Sequence, residues 1–68
     1  MLTGTVKKLV AEKRYGFIRS SEGVEDFFHQ SGLEMTTVRF DELQEGDRVA
    51  FRAIAGEKGP RAIEVRTL

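Results

Sequence analysis

The sequence predicts an all-β fold built from five short strands, arranged as a small barrel or a sandwich. Turn signals divide the 68 residues into short pieces, and several of these pieces alternate polar with apolar residues. β-Branched and aromatic residues are concentrated in the same pieces, which is typical of strands. The chain has no cysteine and is long enough for one small domain, which we expect to span residues 1–68. This length excludes two-domain enzymes and Rossmann folds.

Three strands are predicted in the first half of the chain. Residues 3–10 contain β-branched residues and few breakers, and residues 15–19 are rich in aromatic and branched side chains. Residues 20–25 include Gly23 and are typical of a hairpin loop. Residues 26–29 form the third predicted strand, which this loop would place beside the second.

Two further strands are predicted in the second half. Residues 31–33 are compatible with a single helical turn. Residues 34–44 are expected to form a long loop with a turn, because they contain β-branched residues and lack a helical cap pair. A turn at residues 45–47 precedes residues 48–54, which alternate polar and apolar side chains, and residues 61–65 alternate again.

The second and third predicted strands carry a group of rings on one face. Because side chains alternate along a strand, Tyr15 and Phe17 share a face, and so do Phe27 and His29. Pairing of the two strands would form a surface of four rings, on which bases stack with a gain of about 1–3 kcal/mol each. In the alternative interpretation, these rings belong to the core. A small barrel has only one inner face, however, and other residues can fill it, so we interpret the rings as an exposed binding surface. Those predicted core residues are Val6, Leu9, Ile18, Phe28, Val49, Phe51, Ile54, Ile63 and Val65.

Charge is balanced overall but unevenly distributed. Eleven lysine and arginine residues match eleven acidic residues. Residues 1–20 hold five basic residues against one acidic, residues 21–47 hold one against eight, and residues 48–68 hold five against two. If the two ends of the chain pair in space, one face is basic and suits phosphate, although an ordinary mixed surface fits the same counts. The expected phosphate contacts near the rings are Lys7 and Lys13, with Lys8 and Arg14 as further candidates and Lys58 and Arg61 as flanking cations.

Two motifs resemble those of the cold-shock domain family. Residues 13–18 (Lys-Arg-Tyr-Gly-Phe-Ile) resemble the first ribonucleoprotein motif of this family, and residues 27–29 (Phe-Phe-His) resemble the second. Residues 4–7, 43–51 and 59–62 are similar to the family's opening strand, fourth-strand entry and closing strand. The resemblance implies a five-stranded antiparallel OB-fold barrel that binds single-stranded RNA or DNA, without catalysis or a cofactor. It also implies a role as a nucleic-acid chaperone or as a regulator of transcription or translation.

The chain departs from the family pattern at positions that matter for binding and folding. Lys8 stands where the family usually has Trp, and Gln30 replaces a usual Phe. Two stacking rings are therefore missing, and we expect weaker, more salt-dependent binding, with Lys8 contacting phosphate and Gln30 a base edge. Arg14 replaces a usual Gly, and Asp26 occupies a usually apolar inward position. Phe40 best matches the family's loop aromatic, and we expect it either to stack on a base or to cap the barrel.

The predicted partner is single-stranded nucleic acid. The alternative is a protein-interaction module on the same barrel, with nucleic-acid binding reduced or lost. An enzyme is not expected, because the chain lacks a catalytic constellation, and one histidine without cysteine does not provide the ligands of a metal site. We expect a cytoplasmic location, since no signal sequence or membrane-spanning apolar run is present. We also expect a monomer. The predicted binding residues are Lys7, Lys8, Lys13, Tyr15, Phe17, Phe27, His29, Gln30, Phe40 and Lys58.

Overall fold

The computed structural model describes residues 1–34, 38–57 and 59–68. The prediction of five strands is confirmed, and all five strands are longer than the sequence pattern indicated. Three short 3-10 turns lie between them, at Ala11–Lys13, Gln30–Gly32 and Phe40–Glu42. The strands are β1 (Leu2–Val10), β2 (Tyr15–Ser20), β3 (Glu25–His29), β4 (Arg48–Gly56) and β5 (Gly59–Thr67).

The strands form a closed barrel in the order β1-β2-β3-β5-β4. Four of the neighbouring pairs are antiparallel, but β3 and β5 are parallel and meet at Phe27 and Arg61. The closed barrel is confirmed, whereas the expectation that all its strands are antiparallel is wrong. The reason is geometric, because strand directions cannot alternate all the way round a ring with an odd number of members. One neighbouring pair must run in the same direction.

The barrel interior is apolar and mostly as predicted. Six of the nine predicted core residues are fully buried, while Leu9 and Ile63 are half-buried. The prediction for Ile54 is wrong, since its side chain is 43% exposed. Val49 and Phe51 point inward, so the alternation of β4 turns Ile54 outward. The buried members of the predicted set are Val6, Ile18, Phe28, Val49, Phe51 and Val65.

The segment between β3 and β4 closes one end of the barrel. Leu33, Val38, Phe40 and Leu43 are buried there and belong to the same core cluster as the strand residues. A single helical turn is present, but it spans Gln30–Gly32, one residue earlier than predicted, and Leu33 is extended. The described parts of the predicted loop contain one 3-10 turn, and residues 35–37 lie outside the described residues.

A bulge in β1 determines which side chains of this strand face outward. Val6 pairs with Ile18, but the next partner pair is Lys8 with Phe17, so Lys7 is an extra residue on β1. Strict alternation would point Lys8 into the barrel. The extra residue instead brings Lys8 to the outer face beside Phe17.

Gly16 allows β1, β2 and β3 to approach closely behind the ring-bearing face. A Cβ atom at this position would collide with the carbonyl oxygen of Lys8 and would lie 2.9 Å from the ring of Phe28. Glycine is therefore required where Tyr15 and Phe17 project outward on either side of it.

Arg14 occupies the left-handed backbone region, with φ 58° and ψ 40°, where it ends the 3-10 turn before β2. This conformation explains why the family pattern has glycine at this position. The Arg14 guanidinium forms an ion pair with Asp41 and lies 5.9 Å from the centre of the Phe40 ring. These contacts offset part of the backbone strain and tie the β1–β2 connection to the segment before β4.

None of the helical turns in the described residues is long and apolar enough to span a membrane.

Candidate nucleic-acid interface

Strand pairing places residues from all five strands in one row across the outer face of the barrel. Lys8 on β1 lies opposite Phe17 on β2, which lies opposite Phe27 on β3. Phe27 then pairs with Arg61 on β5, which pairs with Ile54 on β4. Because directly opposite residues project to the same side of a sheet, these five side chains form a continuous band.

A second, shorter row runs beside the first. Val10 lies opposite Tyr15, and Tyr15 lies opposite His29. The predicted sharing of one face by Tyr15, Phe17, Phe27 and His29 is therefore confirmed by the register of β2 and β3.

Tyr15, Phe17 and Phe27 form a compact group, which we call the aromatic surface. The ring centre of Tyr15 lies 5.3 Å from that of Phe27 and 6.0 Å from that of Phe17, and the two Phe rings are 5.9 Å apart. The Phe17 ring is nearly perpendicular to that of Tyr15, which is a favourable edge-to-face arrangement. All three residues are half-buried, so they support one another while keeping part of their surface in solvent.

His29 is held in a fixed orientation at the end of β3. Its Nδ1 atom accepts a hydrogen bond from the backbone N–H of Ser31 at 3.1 Å, and the Ser31 hydroxyl lies at the same distance. Accepting that hydrogen bond requires an unprotonated Nδ1, so the neutral ring carries its proton on Nε2. His29 thus presents a half-buried ring whose free nitrogen is a donor.

A groove runs between the aromatic surface and the β4–β5 hairpin. Its walls include Phe17, Phe27, Ile54 and Pro60, and the predicted cation Lys13 lies at its edge. Arg61 also lines the groove, with its guanidinium carbon 5.7 Å from the centre of the Phe27 ring. The acidic Glu57 on the hairpin lines the groove as well. The groove thus combines flat apolar surfaces with two basic side chains against one acidic side chain, which suits a chain of bases joined by phosphates.

Lys7 is exposed but engaged by an acidic residue. Its ammonium group lies 2.6 Å from the carboxylate of Glu25, and this hydrogen bond together with the positive charge lowers the pKa of Glu25. Since Lys7 is the bulge residue, it lies outside the row that contains Lys8 and Phe17. Part of its charge is therefore unavailable to phosphate in the free protein.

The structure does not bring Phe40 to the aromatic surface. Phe40 is only 6% exposed, and its ring centre lies 6.2 Å from that of the core residue Phe28. Of the two roles expected for it, the barrel cap matches this position. Gln30 is half-buried beside it, and its backbone N–H donates to the carbonyl oxygen of Arg14 at 2.8 Å. Gln30 and Phe40 line a second depression together with Arg14, Arg39 and Asp41.

Sequence reasoning gave Arg61 only a flanking role and assigned Ile54 to the core, yet both line the groove. The signal for Ile54 was present in the sequence, because it stands an odd number of residues from the inward-facing Phe51. Lys58, a predicted binding residue, lies outside the described residues. Across the ranges that are described, no group of three or more His, Asp or Glu side chains is arranged to hold a metal ion.

Comparison with known proteins decides the family. Residues 2–68 match the family described as the 'Cold-shock' DNA-binding domain. The chain belongs to the cold-shock domain family. It is similar to the major cold shock protein of Streptococcus pyogenes serotype M1, with 41% identity over 68 residues that cover 100% of this chain and 98% of that protein. A cold shock-like protein of Thermotoga maritima is 40% identical over 67 residues, which cover 98% of each chain.

Membership of the cold-shock domain family confirms the resemblance carried by the two ribonucleoprotein-type motifs. It also shows that this chain is a nucleic-acid-binding domain on a five-stranded β-barrel. The ring residues of both motifs lie on β2 and β3, the strands that carry the aromatic surface, while residues 13–14 of the first motif precede β2.

Proposed function

We propose that this cold-shock domain binds single-stranded RNA or DNA by stacking bases on Tyr15, Phe17 and Phe27, and so acts as a nucleic-acid chaperone or a regulator of transcription or translation. The observation that carries the proposal is the position of these rings. They lie within 6.0 Å of one another on the outer face of β2 and β3. The barrel interior is filled by a different set of residues.

Single strands are the preferred form, because stacking on a protein ring requires a base whose own face is uncovered. In a duplex each base face is already stacked on its neighbours. Each base that stacks on a ring contributes about 1–3 kcal/mol, with little dependence on sequence. His29 adds a further ring beside Tyr15 and a donor for a base edge.

Positive charges complete the binding surface. Lys8 lies beside Phe17, and Lys13 lies at the edge of the groove. Both side chains are exposed, and neither forms an ion pair with another residue in the part of the chain that the structure describes. With Lys8 in place of a ring, binding depends more on phosphate contacts and therefore more on salt. Gln30, which follows His29 in the chain, supplies a side-chain amide for a base edge.

The test is the fluorescence anisotropy of a labelled pyrimidine-rich heptamer titrated with the protein at low and moderate salt. The same heptamer annealed to its complement is the control. We expect saturable binding of the single strand that weakens with salt, and much weaker binding of the duplex. Equal binding of both forms would contradict stacking. No binding by the folded protein would overturn the proposal and favour a protein-interaction module on this barrel.

A further inference from the structure

Arg61 covers a ring that the proposed function needs to be open. Its guanidinium carbon lies 5.7 Å from the centre of the Phe27 ring, within the groove. A base that stacks on that face of Phe27 competes with the guanidinium for the same place. In the free protein, the side chain of Arg61 therefore occupies part of the Phe27 face on which a base would stack.

This arrangement leaves Arg61 incompletely satisfied. Its Nε atom is buried and has no hydrogen-bond partner. A buried donor without an acceptor is unfavourable, particularly on a charged group. The attraction between the guanidinium and the ring is thus opposed by the lost hydrogen bond, which weakens the contact of Arg61 with Phe27.

Arg61 also differs from two other arginine residues, Arg14 and Arg52, in having no ion-pair partner in the described ranges. Arg14 is paired with Asp41, and Arg52 is paired with Glu64 at 3.1 Å. No acidic group forms an ion pair with Arg61 in the described ranges. Its charge is consequently available to a phosphate, which the planar guanidinium can bind through two parallel hydrogen bonds.

We propose that Arg61 moves off Phe27 when a single strand binds and contacts a phosphate next to the base that stacks on Phe27. This inference rests on the proposed function. Arg61 is the direct cross-strand partner of Phe27, so after leaving the ring its long side chain remains within reach of the backbone of a nucleotide stacked there. The movement uncovers the ring, ends the burial of Nε and gives its N–H an acceptor.

The first test is the salt dependence of heptamer binding by Arg61→Ala. Each phosphate contact to a single strand contributes about −0.7 to the slope of log K against log salt concentration. We expect the slope for Arg61→Ala to be shallower by about 0.7, so that the ratio of wild-type to variant affinity falls about five-fold over a tenfold rise in salt. Arg61→Gln, which keeps the aliphatic stem and removes the charge, is expected to give the same slope change.

Arg66→Ala is the matched control, because it removes the same charge from the same strand. Arg66 lies five residues beyond Arg61, and its guanidinium contacts the sulfur of Met1 at 3.4 Å. We expect the slope for Arg66→Ala to equal that of the wild type. Circular dichroism and urea unfolding check that each variant is folded.

The second test locates the contact by neutralising one phosphate at a time with a methylphosphonate linkage. At one linkage the wild-type protein is expected to lose several-fold in affinity, whereas Arg61→Ala is expected to lose none. Parallel salt slopes for wild type and Arg61→Ala, whether the variant binds tighter or weaker, would overturn the inference. If the wild type itself does not bind the heptamer, it is the proposed function that fails, so the two failures are distinguishable.

Discussion

Replacement of Phe17 by alanine is expected to weaken binding of a pyrimidine-rich heptamer by roughly 5- to 150-fold. That range corresponds to the loss of one base stacked on one ring. Phe17 lies between Lys8 and Phe27 in the row across the outer face. A nucleic-acid strand that follows this row must therefore pass over Phe17. Phe27→Ala is expected to fall in the same range, and the double variant to lose less than the product of the two effects because the rings are in contact. The measurement is fluorescence anisotropy at fixed salt.

Val24→Ala is the control for this series. Val24 is an exposed apolar residue, 46% accessible, in the loop that joins β2 and β3. Truncation of Val24 removes apolar surface without touching the aromatic surface. The affinity of this variant for the heptamer should match that of the wild type. Wild-type affinity in folded Phe17→Ala and Phe27→Ala would contradict base stacking at this face.

Asp26→Val is expected to raise the free energy of unfolding by about 1–3 kcal/mol at neutral pH. Asp26 is only 2% exposed, points inward from β3 opposite Ile18, and has a buried Oδ2 atom without a hydrogen-bond partner. Valine has a similar size and no polar atom to desolvate. The measurement is urea unfolding followed by far-ultraviolet circular dichroism.

The gain from Asp26→Val should depend on pH in a defined direction. Burial raises the pKa of Asp26 above its ordinary value of 3.8, because the charged form is disfavoured inside the barrel. The contribution of Asp26 to the stability of the folded wild type is therefore most favourable at pH values below the unfolded-state pKa of this residue. That contribution is lost as the pH rises through the folded-state pKa of Asp26. The difference between Asp26→Val and wild type should be small in acid and grow toward neutral pH. The lowered pKa of Glu25 makes the stability rise with pH instead. Glu25 is present in both proteins, so this effect cancels in the difference between them.

Asp26→Asn separates the charge from the polarity of this side chain. Asparagine cannot ionise but still buries polar atoms, so its stability at neutral pH should lie between those of the wild type and Asp26→Val. A wild type at least as stable as Asp26→Val at neutral pH, or a difference that shrinks as pH rises, would contradict this account of Asp26.

Much of the fold could be predicted from the sequence because the alternation of polar and apolar residues along a strand indicates which of its faces is buried. Val49 and Phe51 in β4 are examples, and the same rule predicted that Tyr15 and Phe17 share a face. The bulge at Lys7 could not be predicted this way, since an extra residue leaves no mark in a short alternating pattern. The parallel pairing of β3 with β5 follows from closing a ring of five strands, which is a property of the whole barrel.

The candidate site was less predictable where it depends on loops and on contacts between distant residues. Phe40 matched a family position, but the path of the segment before β4 buries its ring against Phe28, and no periodicity reports that path. The contact between Arg61 and Phe27 joins residues 34 positions apart across the parallel pair. Short-range patterns do not contain such information.

The central claim is that bases stack on the aromatic surface, and comparison of two heptamers of equal charge tests it most directly. One is an ordinary pyrimidine heptamer, and the other has the same sugar-phosphate backbone without bases. Phosphate contacts are the same for both, so any difference in affinity reports stacking and base contacts. We expect the abasic heptamer to bind at least about five-fold more weakly, as the loss of one stacked base or more requires. Equal affinity for the two would show that binding is electrostatic alone and would contradict the account.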